Sequence, residues 1–235
     1  NFIYMSHLNP KPRDHPLIVN GIMSDLYNEL IECKKCPRIV SFREKIAKEK
    51  RKQYLNWNYW GKPIPGYGDI NAKILLVGLA PAAHGGNRTA RVFTGDKSAD
   101  FLFKCLHKAK FSNISTSKHM QDGLILKNIY MTPALKCVPP KDKPTSEELS
   151  KCFIYLNKEI QLLPKIKKIL TLGQIAFNAC LKLYHLKKKD YRFVHGATYK
   201  INKELDLIAC YHPSPRNVNT KRIDEVKMMN ILKKL

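Results

Sequence analysis

Two short stretches of this 235-residue chain gather side chains able to hold or alter a ligand. The first is Gly78–Asp96, GLAPAAHGGNRTARVFTGD. Ala80, Ala82, Ala83, Gly85 and Gly86 are small enough for a ligand to approach the main chain, whose N–H and C=O groups can then read it. Phe93 supplies a flat face for stacking a planar ring, and Arg88 and Arg91 suit phosphates. The second is Tyr211–Asn217, YHPSPRN, in which two prolines hold His212 and Ser214 in a stiff turn that loses little entropy on binding.

Cysteines form a third constellation. Cys33-x-x-Cys36 places two thiols where both can face one metal, and Cys137 and Cys152 follow at a C-x14-C spacing with Pro139 and Pro140 bending the chain between them. Four thiolates converging on one point serve either zinc or a [4Fe–4S] cluster, and the spacing does not separate the two. The chain holds seven cysteines, an odd number, and the opening residues Asn1–Leu8 lack a basic flank followed by an apolar core. Metal ligation and packing in an intracellular protein are therefore expected rather than a disulfide framework. Cys105, Cys180 and Cys210 fall inside predicted helices or a strand and read as core.

These groups need elements to position them. Residues 1–16 are polar and proline-punctuated and read as a loose arm, leaving 17–235 as a single domain. A helix is expected over Ser24–Glu32, a solvated helical connection over the charge run Arg43–Lys52, and a loop over Gly61–Gly68. Strands are expected at Lys73–Gly78, Asn128–Thr132, Lys167–Gly173 and Leu207–Cys210, the first and third being almost wholly apolar runs of the kind buried on both faces of a parallel sheet. Helices are expected at Ser98–Ala109, Ser146–Leu163, near Gln174–Leu183 and at Lys221–Leu235, with an edge element at Tyr191–Ile201. Thr145 and Glu148 have the spacing of a capping box at the start of the second of these. Strands alternating with helices predict an α/β fold with a mainly parallel sheet, and in such sheets ligands sit beyond the carboxyl ends of the strands. Both ligand-suited stretches directly follow predicted strands.

Composition narrows the partner. Lys and Arg outnumber Asp and Glu by 42 to 19, a formal charge of +23, and such an excess points to a polyanion such as nucleic acid. No apolar run approaches the roughly 20 residues needed to cross a bilayer, so no membrane role is expected.

Taken together, Gly78–Asp96, the His212–Asn217 turn, Thr132–Thr145 (TPALKCVPPKDKPT) and the cysteine quartet resemble the family-5, or B-type, uracil-DNA glycosylases of bacteria and archaea. The likeness runs from about Cys33 to the C-terminus through several separated motifs in the same order. It implies a three-layer α/β/α sandwich around a four-stranded, mainly parallel sheet. It also implies a [4Fe–4S] cluster on Cys33, Cys36, Cys137 and Cys152 rather than zinc, and action on uracil and related deaminated bases, hypoxanthine among them, in DNA. Many other uracil-DNA glycosylases carry an acidic or amide side chain just after the first strand, where this chain has Leu79-Ala80-Pro81-Ala82-Ala83. The family-4 pattern places an Asn four residues before the third cysteine, where this chain has Pro133. Both departures favour family 5 over a strict, family-4-like enzyme, and imply recognition by backbone groups with looser selectivity. A non-catalytic, metal-stapled nucleic-acid-binding module accounts for the charge and the cysteines but not for the two loops.

Under this resemblance Gly78, Ala80, Ala82, Ala83, His84, Asn87 and Phe93 are expected to meet the base, and Arg88, Arg91, Ser214, Arg216 and Asn217 the DNA. His212 is the expected donor to the departing base. Asp69, ending the Gly66–Asp69 turn, is the expected carboxylate on the sugar side, with Asp96 as runner-up. Arg216 stands where related glycosylases push a wedge into the duplex. A monomer is expected, with a sliding clamp as a candidate partner.

Overall fold

A computed structural model describes residues 21–235; the predicted arm 1–16 and the start of the domain lie outside the described residues. Strand β1 spans Tyr67–Gly68, β2 Ile74–Gly78, β3 Ile129–Pro133, β4 Lys168–Leu172, β5 Thr198–Lys200 and β6 Asp206–Cys210. They form one sheet in the order β1-β3-β2-β4-β6-β5. The four central strands are mutually parallel, as their apolar runs required, and every residue of β2 and β3 is buried, so both sheet faces are covered.

The expected four strands thus become six. The two additions, β1 against β3 and β5 against β6, are short and antiparallel at the sheet edges. The first is two residues long inside a Gly- and Pro-rich stretch, too short for any alternation to show, and the second lies within the predicted edge element 191–201.

The helices are α1 (Gly21–Ile31), α2 (Pro37–Glu49), α3 (Gly86–Thr89), α4 (Lys97–Lys108), α5 (Ser146–Gln161), α6 (Gln174–Leu183), α7 (Pro215–Asn219) and α8 (Glu225–Leu232). Helix α1 packs on α5, α5 on α6, and α4 on α8. The capping box at the head of α5 is formed, Thr145 and Glu148 each satisfying the other's backbone N–H. The helix expected over 221–235 begins later, because Asp224 caps α8 by accepting from the Lys227 N–H, and a separate short helix, α7, precedes it. The charge run at 43–52 is not wholly solvated: α2 ends at Glu49, and Arg43 on its inner face is 2% exposed. No helix among the described residues is long and apolar enough to cross a membrane.

Candidate active site

Parallel strands β2, β4 and β6 all end on one side of the sheet, and the loops that leave β2 and β6 build one cleft of about 850 Å³. Ala80, Ala82, Ala83, His84, Phe93 and Asp96 come from the loop after β2, and His212 from the turn after β6. The volume exceeds that of a nucleobase and lies within the range of small-molecule sites.

The floor of the cleft is set by a close approach. A Cβ on Gly78, the last residue of β2, would lie 2.5 Å from the Phe93 ring, so only glycine there lets the ring settle over the strand end. Phe93 itself has φ 51, a left-handed conformation that non-glycine residues adopt at a cost of about 1–3 kcal/mol. The strain is held by its surroundings: Arg91 and Thr94, on either side of Val92 and Phe93, are tied to each other and to Ser117.

His212 is positioned from the opposite wall. Ser214 caps α7 by accepting the Asn217 N–H at 3.3 Å, and Asn217 Nδ2 donates to the His212 carbonyl at 2.8 Å. These two residues, expected at the DNA, therefore spend their named hydrogen bonds on the turn that presents His212. Burial lowers the His212 pKa below the ordinary imidazole value, so the ring is neutral at pH 7 and still carries one N–H to donate. Arg216 is exposed on the first turn of α7, beside the cleft-lining Pro215.

Asp69 is not in the cleft. Its carboxylate accepts the N–H of Asn71 at 2.8 Å and of Asn128 at 2.9 Å, and its own N–H donates to Ile129 O. Asn128 directly precedes β3, so Asp69 closes a turn at the amino ends of the parallel strands, away from the loops that matter. The carboxylate in the cleft is Asp96. One of its oxygens accepts from the Ala99 N–H as the cap of α4, and the other lies so close over Gly85 that a Cβ there would meet it at 2.4 Å. Burial raises the Asp96 pKa, against the lowering by the Ala99 and Ser98 N–H groups.

The loop's other polar residues point away from the ligand. Asn87 is fully buried and its Nδ2 donates to the Arg43 carbonyl at 3.2 Å, so it ties the loop to α2 rather than meeting a base. Arg91, 1% exposed, is paired with Asp122 at 2.6 Å and bonded to Thr94 and Ser117. It cannot reach a phosphate. Arg88 is 2% exposed and lies on the cleft wall, but its guanidinium sits in the corner formed by the perpendicular rings of Tyr54 and Trp57, 3.8 and 4.1 Å from their centroids, while donating to the carbonyls of His84 and Gly95. It braces the wall.

That wall contains residues sequence reasoning missed: Arg51, Gln53, Tyr54 and Trp57, in the segment joining α2 to the sheet. The signal was present, since Lys50–Trp60 (KRKQYLNWNYW) interleaves basic and aromatic residues as nucleic-acid-binding surfaces do. Lys97 and Lys118 add further positive charge to the rim.

Away from the cleft, Cys33, Cys36, Cys137 and Cys152 line a single cavity between α2, α5 and the chain after β3. Among the described residues no three His, Cys, Asp or Glu side chains are grouped so as to hold one metal ion. A zinc tetrahedron with bonds near 2.3 Å needs sulfurs about 3.8 Å apart. Four thiols lining one cavity are the donor set of either zinc or a polynuclear cluster. The surroundings suit an anion: among the described residues Arg43 is buried without a carboxylate partner, its Nη1 donates to Cys137 Sγ at 3.0 Å, and its Nε has no partner. The Lys136 N–H is directed at Cys152 Sγ at 3.2 Å. Cys105, Cys180 and Cys210 are packed in the core.

An α/β sheet ending in a cleft roomy enough for a nucleobase, floored by an aromatic ring and facing a neutral imidazole and a carboxylate, is the architecture of an enzyme acting on a planar heterocycle. A profile of the Uracil DNA glycosylase superfamily matches residues 65–235, and the chain belongs to that superfamily. Its curated relatives place it on the type-5 branch. It is 42% identical over 214 residues to a type-5 uracil-DNA glycosylase of Pyrobaculum aerophilum, covering 91% of this chain and 92% of the relative. With the type-5 uracil-DNA glycosylase of Thermus thermophilus it shares 43% over 203 residues, 86% of this chain and 92% of the other. A type-4 uracil-DNA glycosylase of Archaeoglobus fulgidus is 28% identical over 197 residues, 82% of this chain and 81% of its own length.

Proposed function

We propose that this protein is a DNA-repair hydrolase that releases uracil from DNA by cleaving the N-glycosidic bond of a nucleotide rotated out of the helix. The observation that carries the reading is the meeting of Phe93 and His212, 119 positions apart in sequence, across one cleft at the carboxyl ends of the sheet. A base inside a duplex cannot reach such a cleft, so the target nucleotide has to be extruded. The expelled base stacks on Phe93. As the bond from C1′ to the base nitrogen breaks, its electron pair leaves with the base, and the neutral His212 ring donates a hydrogen bond to the growing anion. Asp96 faces the cationic sugar, holds the water that attacks C1′, and takes up its proton. The +23 charge draws the protein to the phosphate backbone, with Arg51 and Lys97 at the rim of the cleft. The open, small-residue loop favours a range wider than uracil, hypoxanthine included.

The decisive assay is release of free base from uracil-containing oligonucleotides by the purified protein, with Asp96→Asn alongside. Asparagine caps helices as well as aspartate, so α4 keeps its start and the melting temperature stays near that of the parent while the rate falls about 100-fold. An Asp96→Asn protein as fast as the parent removes Asp96 from the mechanism.

Arg216 enters the gap left by the extruded nucleotide. Arg216→Ala is expected to slow cutting of double-stranded DNA more than of single strands, and equal losses on both exclude a wedge.

The cysteine quartet holds a [4Fe–4S] cluster, a structural staple between α2 and α5, since hydrolysis needs no electron transfer. Arg43 and the Lys136 N–H offset the charge of its sulfurs. Purified protein should be brown and contain about four irons and four sulfides per chain. One zinc per chain, with no visible absorption, rules this out.

A further inference from the structure

Resting on the glycosylase reading above, a second polar device in the cleft accounts for how deaminated bases are told from their parents. His84 stands on the cleft wall with its ring edge-on to Tyr59, centroids 5.9 Å apart at 79°. Tyr59 Oη lies 2.8 Å from His84 Nδ1. A hydroxyl that donates across this contact leaves Nδ1 as the acceptor. Burial, with the charges of Arg51 and Arg88 nearby, lowers the His84 pKa, so the ring is neutral. A neutral imidazole that accepts at Nδ1 carries its proton on Nε2. Nε2 is not buried and makes no hydrogen bond to any described residue.

We propose that Tyr59 locks His84 as an Nε2–H donor that recognises the exocyclic carbonyl oxygen created by deamination, O4 of uracil or O6 of hypoxanthine. Deamination of cytosine or adenine replaces an amino group, which donates, by an oxygen, which accepts. One fixed donor therefore takes every deaminated product regardless of ring size. It rejects both parents, because an amino group facing an N–H leaves two donors opposed and unpaired. Asn87, the amide expected at the base, is spent on α2, so His84 takes over the selective contact. Tyr59 is a positioning residue, acting only through the tautomer it imposes.

The test compares single-turnover release from oligonucleotides carrying uracil or pyrimidin-2-one, which lacks O4, at the same position. Tyr59→Phe and His84→Ala should each slow uracil release about tenfold and pyrimidin-2-one release less than about twofold. His84→Gln, which retains an N–H, should recover part of the uracil rate. Equal slowing on both bases overturns the proposal. Because Tyr59→Phe could disturb the wall itself, the ¹⁵N spectrum of the unaltered protein provides an independent check, with the His84 signal identified by its loss in His84→Gln. A protonated Nε2 with a bare Nδ1 supports the lock, and the opposite tautomer refutes it. Parent protein inert on uracil-containing DNA would count against the glycosylase reading instead, with the tautomer measurement still standing.

Discussion

Truncation of His212 to alanine is expected to lower the single-turnover rate of uracil release about 10²- to 10³-fold while DNA affinity is nearly unchanged. The imidazole contributes where charge develops, on the departing base, and has little to bind before the bond stretches, so its loss falls on the rate rather than on affinity. Its preorganisation is visible in the structure: Ser214 and Asn217 fix the turn, and the Gly173 backbone at the end of β4 leaves only 3.3 Å between a notional Cβ and His212 Cβ. Because burial lowers the His212 pKa, the working form is the neutral ring. A mechanism dependent on imidazolium would lose activity as pH rises above about 6.5, the ordinary imidazole value. Here no such loss attributable to His212 is expected between about pH 7 and 9. Rapid-quench assays of parent and variant across that range check both statements, and a His212→Ala protein of undiminished rate removes this residue from the chemistry.

Arg91→Ala is expected to cost about 3–5 kcal/mol of stability, because it strands a carboxylate inside the protein. Asp122 has a side-chain exposure of 7% and its partner Arg91 1%. Burial alone pushes the Asp122 carboxyl up, but the Arg91 guanidinium, with the N–H groups of Lys118 and Leu124, outweighs it and holds the pKa below the ordinary value. A depressed carboxylate contributes stability that is fully present above its unfolded pKa, near 3.9, and is lost as pH falls through the lower folded value. The gap between parent and variant should therefore be widest at neutral pH and narrow in acid. Urea titrations at pH 7 and about pH 3 measure it. Equal stability at pH 7 makes the pair a bystander.

The central strands and the longer helices could be read from the chain because their signals are local: apolar runs at 73–78 and 167–173, and a capping box at 145–148. The grouping of Phe93 with His212 followed from one topological rule about strand ends. What sequence could not supply was direction. Asp69, Asn87, Arg88 and Arg91 have the chemistry of ligand contacts, and nothing in their own neighbourhoods shows that their partners are Asn128, Arg43, two aromatic rings and Asp122. The partner of Arg91 is 31 residues away, beyond the reach of any pattern with a helical or strand period. Asp96 was legible only as the runner-up carboxylate, and it is the one in the cleft, where it also caps α4.

The inward-turned arginines have a consequence for how the enzyme meets its substrate. A glycine-rich loop is ordinarily the part of an enzyme that folds over its ligand, but Arg88 and Arg91 anchor this one as ballast anchors a hull. Amide protons of residues 85–95 should exchange with deuterium as slowly as those of the neighbouring strands, with or without DNA. Adaptation then falls to the nucleic acid: the receptor is cast in advance, and it is the helix that must bend, open and deliver.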